Sequence, residues 1–443
     1  MTRHKILLGT LLVFLSALFV IPLVWVAITP HAFLPPQPIP DEQASAALIP
    51  ARQPITLELM AILEQQPQLK ELLEKSLALA RERNPDSATN PAQSLEEYLD
   101  FLDRSVRIMP WEGLGDALDS SLYNQIDQSL NYFYFLMDQP LPELKNRGYL
   151  KPSLQYMEEL RPWIVKYAKA WGAFLSTPES WNREHLERVS REERFGLGKG
   201  WYESPDNWRS WNDFFARRLR TPQARPIASP QDDSLLASPA DSTSQGLWAI
   251  DGHSMIVPKA VLKSTVFQSI PQLLGEDSAY QNAFAGGTLT HTFLDVHDYH
   301  RFHFPLSGVV REVRLIAADA AVGGEVLWDP QQKRYVLLST EPGWQSIESR
   351  ACVILENPAF GLVALLPIGM SQVSSVVLDH SVQTGAKVHK GDPLGCFYFG
   401  GSDIVMIFQK GIKLELLMPK TQDATGYAHV LMGEPYGRLS GSS

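Results

Sequence analysis

The hydrophobic periodicity of this chain changes once along its length, and that change constrains the fold more than any single motif. From residue 55 to about Glu193 apolar residues recur at helical spacing, as in Leu57, Met60, Ala61 and Leu63, or Leu72, Leu73, Leu77 and Leu79. Beyond Asp233 the pattern becomes short apolar runs punctuated by Gly, Pro and Asp: Leu247–Ile250, Thr288–Leu294, Gly308–Ile316, Tyr335–Leu338, Ala351–Leu355, Leu362–Ile368, Val373–Leu378 and Cys396–Phe408. Helices first and strands afterwards make an α+β chain whose parts meet near the composition shift at Pro226–Ser234.

Ahead of the helices, Ile6 to Ile28 is almost wholly apolar and long enough to cross a bilayer. Arg3, His4 and Lys5 precede it, and no Lys or Arg follows until Arg52, which puts the N-terminus in the cytoplasm and the remainder across the membrane. A cleaved signal fits less well, because the apolar run is long and no clean small-x-small site follows. The expected organisation is a membrane anchor over 1–30, a Pro- and Ala-rich linker over 31–54, a helical accessory domain over 55–205 and a β-rich domain over 206–443.

Within the helical part, Ser94 and Glu97 form a capping-box pattern, and further helices are expected at Asp116–Asp138, Ser153–Phe174, Ser180–Arg194 and Asn207–Leu219. Its aromatic stripe, Tyr132 to Phe135 with Trp163, Tyr167 and Trp171, reads as core. The net charge of −10 and the lack of a basic stripe argue against nucleic acid as a partner. The two cysteines, Cys352 and Cys396, lie in apolar runs and read as buried free thiols.

Three short motifs in the β-rich part carry reactive side chains. Ser238-Pro239-Ala240-Asp241 alone is a turn or a cap. Asp298-Tyr299-His300-Arg301-Phe302-His303 offers two histidines three apart, and His297 extends them to a spacing that raises a metal site; no Cys or Glu pattern completes one. Gly400-Gly401-Ser402-Asp403 breaks two strand-like runs and leaves the Gly401 carbonyl sterically open. An Asp, a His and a Ser on separate segments suit an activated serine nucleophile, and on these residues alone a serine hydrolase and a self-processing serine stay unseparated. The second glycine of a nucleophile elbow is absent around Ser402.

The order and spacing of further pieces decide between them. NDFFARRL and ARPI fall within Asn212–Ile227, SPAD at Ser238–Asp241, LLG at Leu273–Gly275, DYHRFHFPLSG at Asp298–Gly308, LLPIGMSQVSSVVL at Leu365–Leu378, and KGDPLG with FGGS between Val388 and Ser402. In this arrangement the chain resembles the phosphatidylserine decarboxylases, self-processing pyruvoyl enzymes. The resemblance implies cleavage of the Gly401–Ser402 bond: Ser402 attacks the Gly401 carbonyl, His303 oriented by Asp241 takes the proton, and residue 402 becomes a covalent pyruvoyl group, so that no free cofactor is needed. It gives His300 a part in the later decarboxylation, in which a substrate amine joins the ketone as a Schiff base and CO₂ leaves. The expected substrate is phosphatidylserine in a membrane, converted to phosphatidylethanolamine. The cleaved chains are expected to stay associated, and a homo-oligomer is allowed. Three positions depart from the family pattern: Ser242 where glycine usually follows the aspartate, Asp403 where threonine usually follows the serine, and His297. They resemble an outlying branch, some of whose members act on free aromatic amino acids such as tryptophan, and they leave room for an inactive relative. The added carboxylate of Asp403 suggests either slowed cleavage or a contact to a substrate amine.

Overall fold

Proline opens the first two helices, Pro54–Gln65 and Pro67–Arg83, where its missing N–H costs nothing. Ser94 caps the helix Leu95–Ser105 by accepting from Glu97 N, and the Glu97 carboxylate reaches back to Gln93 N and Ser94 Oγ, a variant of the expected box. The computed structural model describes residues 52–441 apart from 115–120, 148–150, 258–268, 318–324, 339–347, 371–374 and 423–425. The expected anchor at Ile6–Ile28 lies outside the described residues; among those described, no helix is long and apolar enough to cross a membrane.

The later helices are shorter than the periodicity suggests. Leu122–Met137 starts at a Ser121 cap, and the stretch expected to begin at Ser153 is split into a single turn, Leu154–Tyr156, and the helix Arg161–Leu175, which has Pro162 in its first turn. Arg183–Arg191 follows an Asn182 cap. The expected helix Asn207–Leu219 shrinks to Trp211–Phe215, with Ser210 as cap. Two contacts draw the chain out of the helix there. The Arg217 guanidinium is fully buried and donates to the carbonyls of His297 and Asp298, and Leu219 bridges to Tyr202.

The β-rich part is built on one large antiparallel sheet. Its central strands run Gly308–Ile316, Ser349–Asn357, Gly361–Met370, Gly401–Phe408, Thr288–Leu294, Ser242–Ile250. Side chains alternate across it. Ile404, Met406 and Phe408 pack with Phe302, Phe304 and Phe397 on one face, while Val405 and Ile407 pack with Ile250, Leu289 and Cys352 on the other. A smaller sheet orders Val376–Leu378, Pro393–Phe397 and Arg301–His303. Both cysteines are free and buried, and burial pushes the Cys352 thiol up to about 12.

The helical and β-rich parts share a core within the unit Arg52–Ser443. Tyr335, in the hairpin Glu325–Asp329 with Arg334–Leu338, exchanges backbone bonds with the Gln128 side chain and donates its hydroxyl to Thr89 O. Phe399, just ahead of the Gly-Gly-Ser break, sits edge-on to Trp171 and Trp211 at 5.3 and 5.6 Å. Truncation of this anchor by Phe399→Ala is expected to cost about 3–5 kcal/mol, measured by chemical denaturation against the parent chain; a loss under ~1 kcal/mol would mean that the aromatic cage does not grip this segment.

Candidate active site

Two adjacent strands bring the reactive residues together. Pro393–Phe397, which leads to the Gly-Gly-Ser break, pairs antiparallel with Arg301–His303, with Cys396 opposite Arg301. Phe397 N donates to His300 O at 2.9 Å, so His300 lies beside the chain just before the break. Gly395 permits the pairing, since a Cβ there would meet Val377 O at 2.3 Å. Gly400 then turns the chain at φ +138°, a conformation open to glycine, and passes it into the large sheet. Gly401 and Ser402 thus begin a central strand, with Ser402 between Gly369 and Leu294.

Ser402 is fully buried and its Oγ lies 3.4 Å from His300 Nδ1. His300 Nε2 faces the Asp295 carbonyl at 3.0 Å. A carbonyl only accepts, so Nε2 carries the proton and the Nδ1 lone pair points at the hydroxyl. Phe215 stacks on the ring at 3.8 Å between centroids. Burial first, and then the Arg217 cation, hold His300 well below the ordinary histidine range, so the ring stays a neutral acceptor.

His303 and Asp241, expected to act together on Ser402, are engaged elsewhere in this structure. His303 Nδ1 donates to Gly391 O at 2.9 Å and Nε2 accepts from the Tyr299 hydroxyl at 3.2 Å, which occupies both ring nitrogens. Burial lowers its pKa to about 4. The Asp241 carboxylate takes the Arg225 guanidinium at 2.9 Å and Met432 N at 2.7 Å, and among the described residues makes no hydrogen bond to His303. Arg225 in turn lies over the Trp201 ring at 3.7 Å. Next to this group opens a cleft of about 310 Å³ whose lining includes Arg218, Arg225, Arg301, His303 and Asp392 together with Leu219, Ile227 and Met432.

The three departures from the family pattern have distinct settings. Asp403 points to the sheet face opposite Ser402, where its Oδ1 pairs with Nε2 of the buried His291 on the neighbouring strand, and Oδ2 has no hydrogen-bond partner among the described residues. It therefore touches neither the hydroxyl beside it in sequence nor the His300 side of the sheet. Ser242 Oγ donates to Ala240 O within its own turn. His297 lies 3.6 Å from Asp298 and edge-on to Tyr123. Among the described residues no group of three or more His, Cys, Asp or Glu is placed to hold a metal ion. Phe215 and Arg225 lie inside the NDFFARRL and ARPI motifs with no signal that sets them apart from their neighbours, and the Asp295 contact to His300 is made by a backbone carbonyl, which leaves no side-chain signature.

A family model described as phosphatidylserine decarboxylase matches residues 211–438, just over half of the chain. The chain belongs to the phosphatidylserine decarboxylase family. It is accordingly a carboxy-lyase. Among its relatives, the decarboxylase iboD of Amanita muscaria is 29% identical over 54% of this chain and 74% of its own length. A phosphatidylserine decarboxylase proenzyme of Chlamydia pneumoniae is 31% identical over 58% and 79%. Phosphatidylserine decarboxylase proenzyme 2 of rice is 32% identical over 46% of this chain but only 30% of its own length.

The family uses a pyruvoyl group, and residue 402 of this decarboxylase fits one. The position is small, dry and central in the sheet, its strand neighbour Gly369 has no side chain to crowd it, and His300 stands against it. The position of Asp403 yields a prediction. Asp403→Ala removes a charged partner of a buried imidazole and is expected to destabilise the chain by about 1–3 kcal/mol, read as a lower denaturation midpoint, without slowing any reaction at residue 402. A slowed reaction with unchanged stability would place Asp403 in the chemistry instead.

Proposed function

We propose that this chain is a self-cleaving, pyruvoyl-dependent decarboxylase, and that its substrate is phosphatidylserine, with phosphatidylethanolamine and CO₂ as products. The observation that carries the reading is the bare Nδ1 of a neutral His300 facing the Ser402 hydroxyl. As Ser402 Oγ attacks the Gly401 carbonyl, His300 is the acceptor in place for its proton, and an ester replaces the amide. Loss of the Ser402 Cα proton then breaks the Cβ–O bond and frees a chain ending at Gly401. Water replaces the nitrogen of residue 402, which leaves as ammonia, and a keto group remains. That ketone supplies an electron sink for the pair left behind as CO₂ departs. His300, still beside residue 402, is placed to return a proton to the product.

His303 acts at Ser402 only by giving up its Gly391 and Tyr299 bonds, so the first proton transfer falls to His300 on this geometry. Cleavage is expected to slow at least ~100-fold in His300→Ala. In the parent its rate is expected to stay level as the pH falls through 6.5, because the lowered pKa keeps the base neutral there. Both are followed by gel and mass analysis of freshly made chain. Normal cleavage in His300→Ala with arrest in His303→Ala would return the base role to His303.

The cleft beside His303 favours the lipid, since Arg218 and Arg301 in its lining suit a phosphate or carboxylate, and Leu219, Ile227 and Met432 suit a glycerol backbone. An anchor at Ile6–Ile28, with the remainder of the chain on the non-cytoplasmic side, would keep the enzyme at that substrate. A free amino acid is the second reading, because the Amanita relative is named a decarboxylase without mention of the lipid. CO₂ release from phosphatidylserine vesicles is expected, with KM raised on the order of tenfold in Arg218→Ala. Release from tryptophan and none from the vesicles would replace the lipid reading with the amino-acid one.

A further inference from the structure

We infer that Tyr123, at the start of the accessory helix Leu122–Met137, is a positioning residue for His300 and ties the helical domain to the chemistry at residue 402. The inference rests on the role given to His300 above. Tyr123 lies outside the matched residues 211–438, so nothing in the family's own stretch assigns it.

A chain of three contacts runs from the helix to the hydroxyl. Tyr123 Oη donates to Asp295 Oδ2 at 2.6 Å, the Asp295 carbonyl accepts from His300 Nε2 at 3.0 Å, and His300 Nδ1 faces Ser402 Oγ at 3.4 Å. Asp295 is thus held through its side chain by the accessory domain while its backbone holds the imidazole. Burial, and then the Asp295 and Asp127 carboxylates, push the Tyr123 phenol far above its ordinary value, so it remains a donor. The ring is itself fixed, with the Arg194 guanidinium over it at 4.2 Å and His297 edge-on at 5.3 Å.

Asp298 ties both backbone groups of Asp295 from within the loop, since its N also donates to the Asp295 carbonyl at 2.9 Å. Asp298 Oδ2 accepts from Asp295 N at 2.8 Å, His429 Nε2 lies 2.9 Å from Asp298 Oδ1, and Arg217 donates to the carbonyls of His297 and Asp298. Besides Tyr123, the Asp295 carboxylate accepts a hydrogen bond from the adjacent Val296 N. Loss of the phenol hydroxyl therefore removes the tie between the Asp295 side chain and the accessory helix, and leaves the carbonyl that selects the tautomer of His300 held by Asp298 from within the loop. The accessory domain also touches the other reactant, since Trp171 packs on Phe399 ahead of the cleavage bond. The helices grip the chain on both sides of the Ser402–His300 contact, and the position of a base within about 1 Å sets rates by up to ~100-fold.

The test uses the full chain with ¹⁵N-labelled histidine. In a Ser402→Ala background, which keeps the chain whole, the His300 ring nitrogens, assigned by their loss in His300→Gln, should show a protonated Nε2 and a bare Nδ1. Adding Tyr123→Phe should shift both toward averaged tautomer values. In the Ser402 chain, Tyr123→Phe should slow cleavage on the order of 10-fold to 100-fold with little change in the denaturation midpoint. Parent-like ring shifts in Tyr123→Phe would overturn the inference, whatever the rates. If the parent itself never cleaves, the reading of residue 402 fails, and the ring shifts still decide whether Tyr123 positions His300.

Discussion

A single hydrogen bond, from His300 Nε2 to the Asp295 carbonyl, sets how the imidazole is presented to residue 402. It costs no charge and uses no side chain of the loop, yet it determines which ring nitrogen is bare and where that nitrogen points. A carboxylate in the same place would raise the basicity of the ring. Burial and the Arg217 cation outweigh the opposite pull of the carbonyl and leave His300 weakly basic and neutral. That combination suits a base that must be ready in an enclosed site, where an imidazolium would be costly. The loop earns its rigidity from all sides: Arg217 of the family stretch, His429 near the C-terminus and Tyr123 of the accessory helix.

The strand Gly401–Phe408 separates two kinds of burial by simple alternation. Ser402 shares its face with Ile404 and Met406, and Asp403 is turned to the opposite one with Val405. A carboxylate next to a nucleophile in sequence is therefore remote from it in chemistry. The departure at Asp403 makes structural sense only with His291 on the adjacent strand, because a buried acid without that imidazole would be left to neutralise itself.

Much of this architecture was legible in the residues. The strands Thr288–Leu294 and Gly308–Ile316 fall at the expected bounds, because both are bracketed by turn residues and rich in strand formers. Helix lengths were harder to read. The run from Asn207 has helical spacing, but burial of Arg217 against loop carbonyls and the Leu219–Tyr202 bridge outweigh local propensity. The site was readable as a cast of Asp, His and Ser but not as a set of contacts. Spacing says nothing of tertiary neighbours, so the separate roles expected of His303 and His300 rested on the resemblance alone, and the pairing of Asp241 with Arg225 left no trace in the order of motifs.

Whether the backbone opens between Gly401 and Ser402 is decided most directly by intact mass measurement of the purified chain. The account predicts two associated pieces, a large one ending at Gly401 and a small one whose first residue carries a keto group in place of its amine, and a single uncut chain for Ser402→Ala. Active decarboxylase that remains one continuous polypeptide with an unmodified serine at position 402 would contradict it.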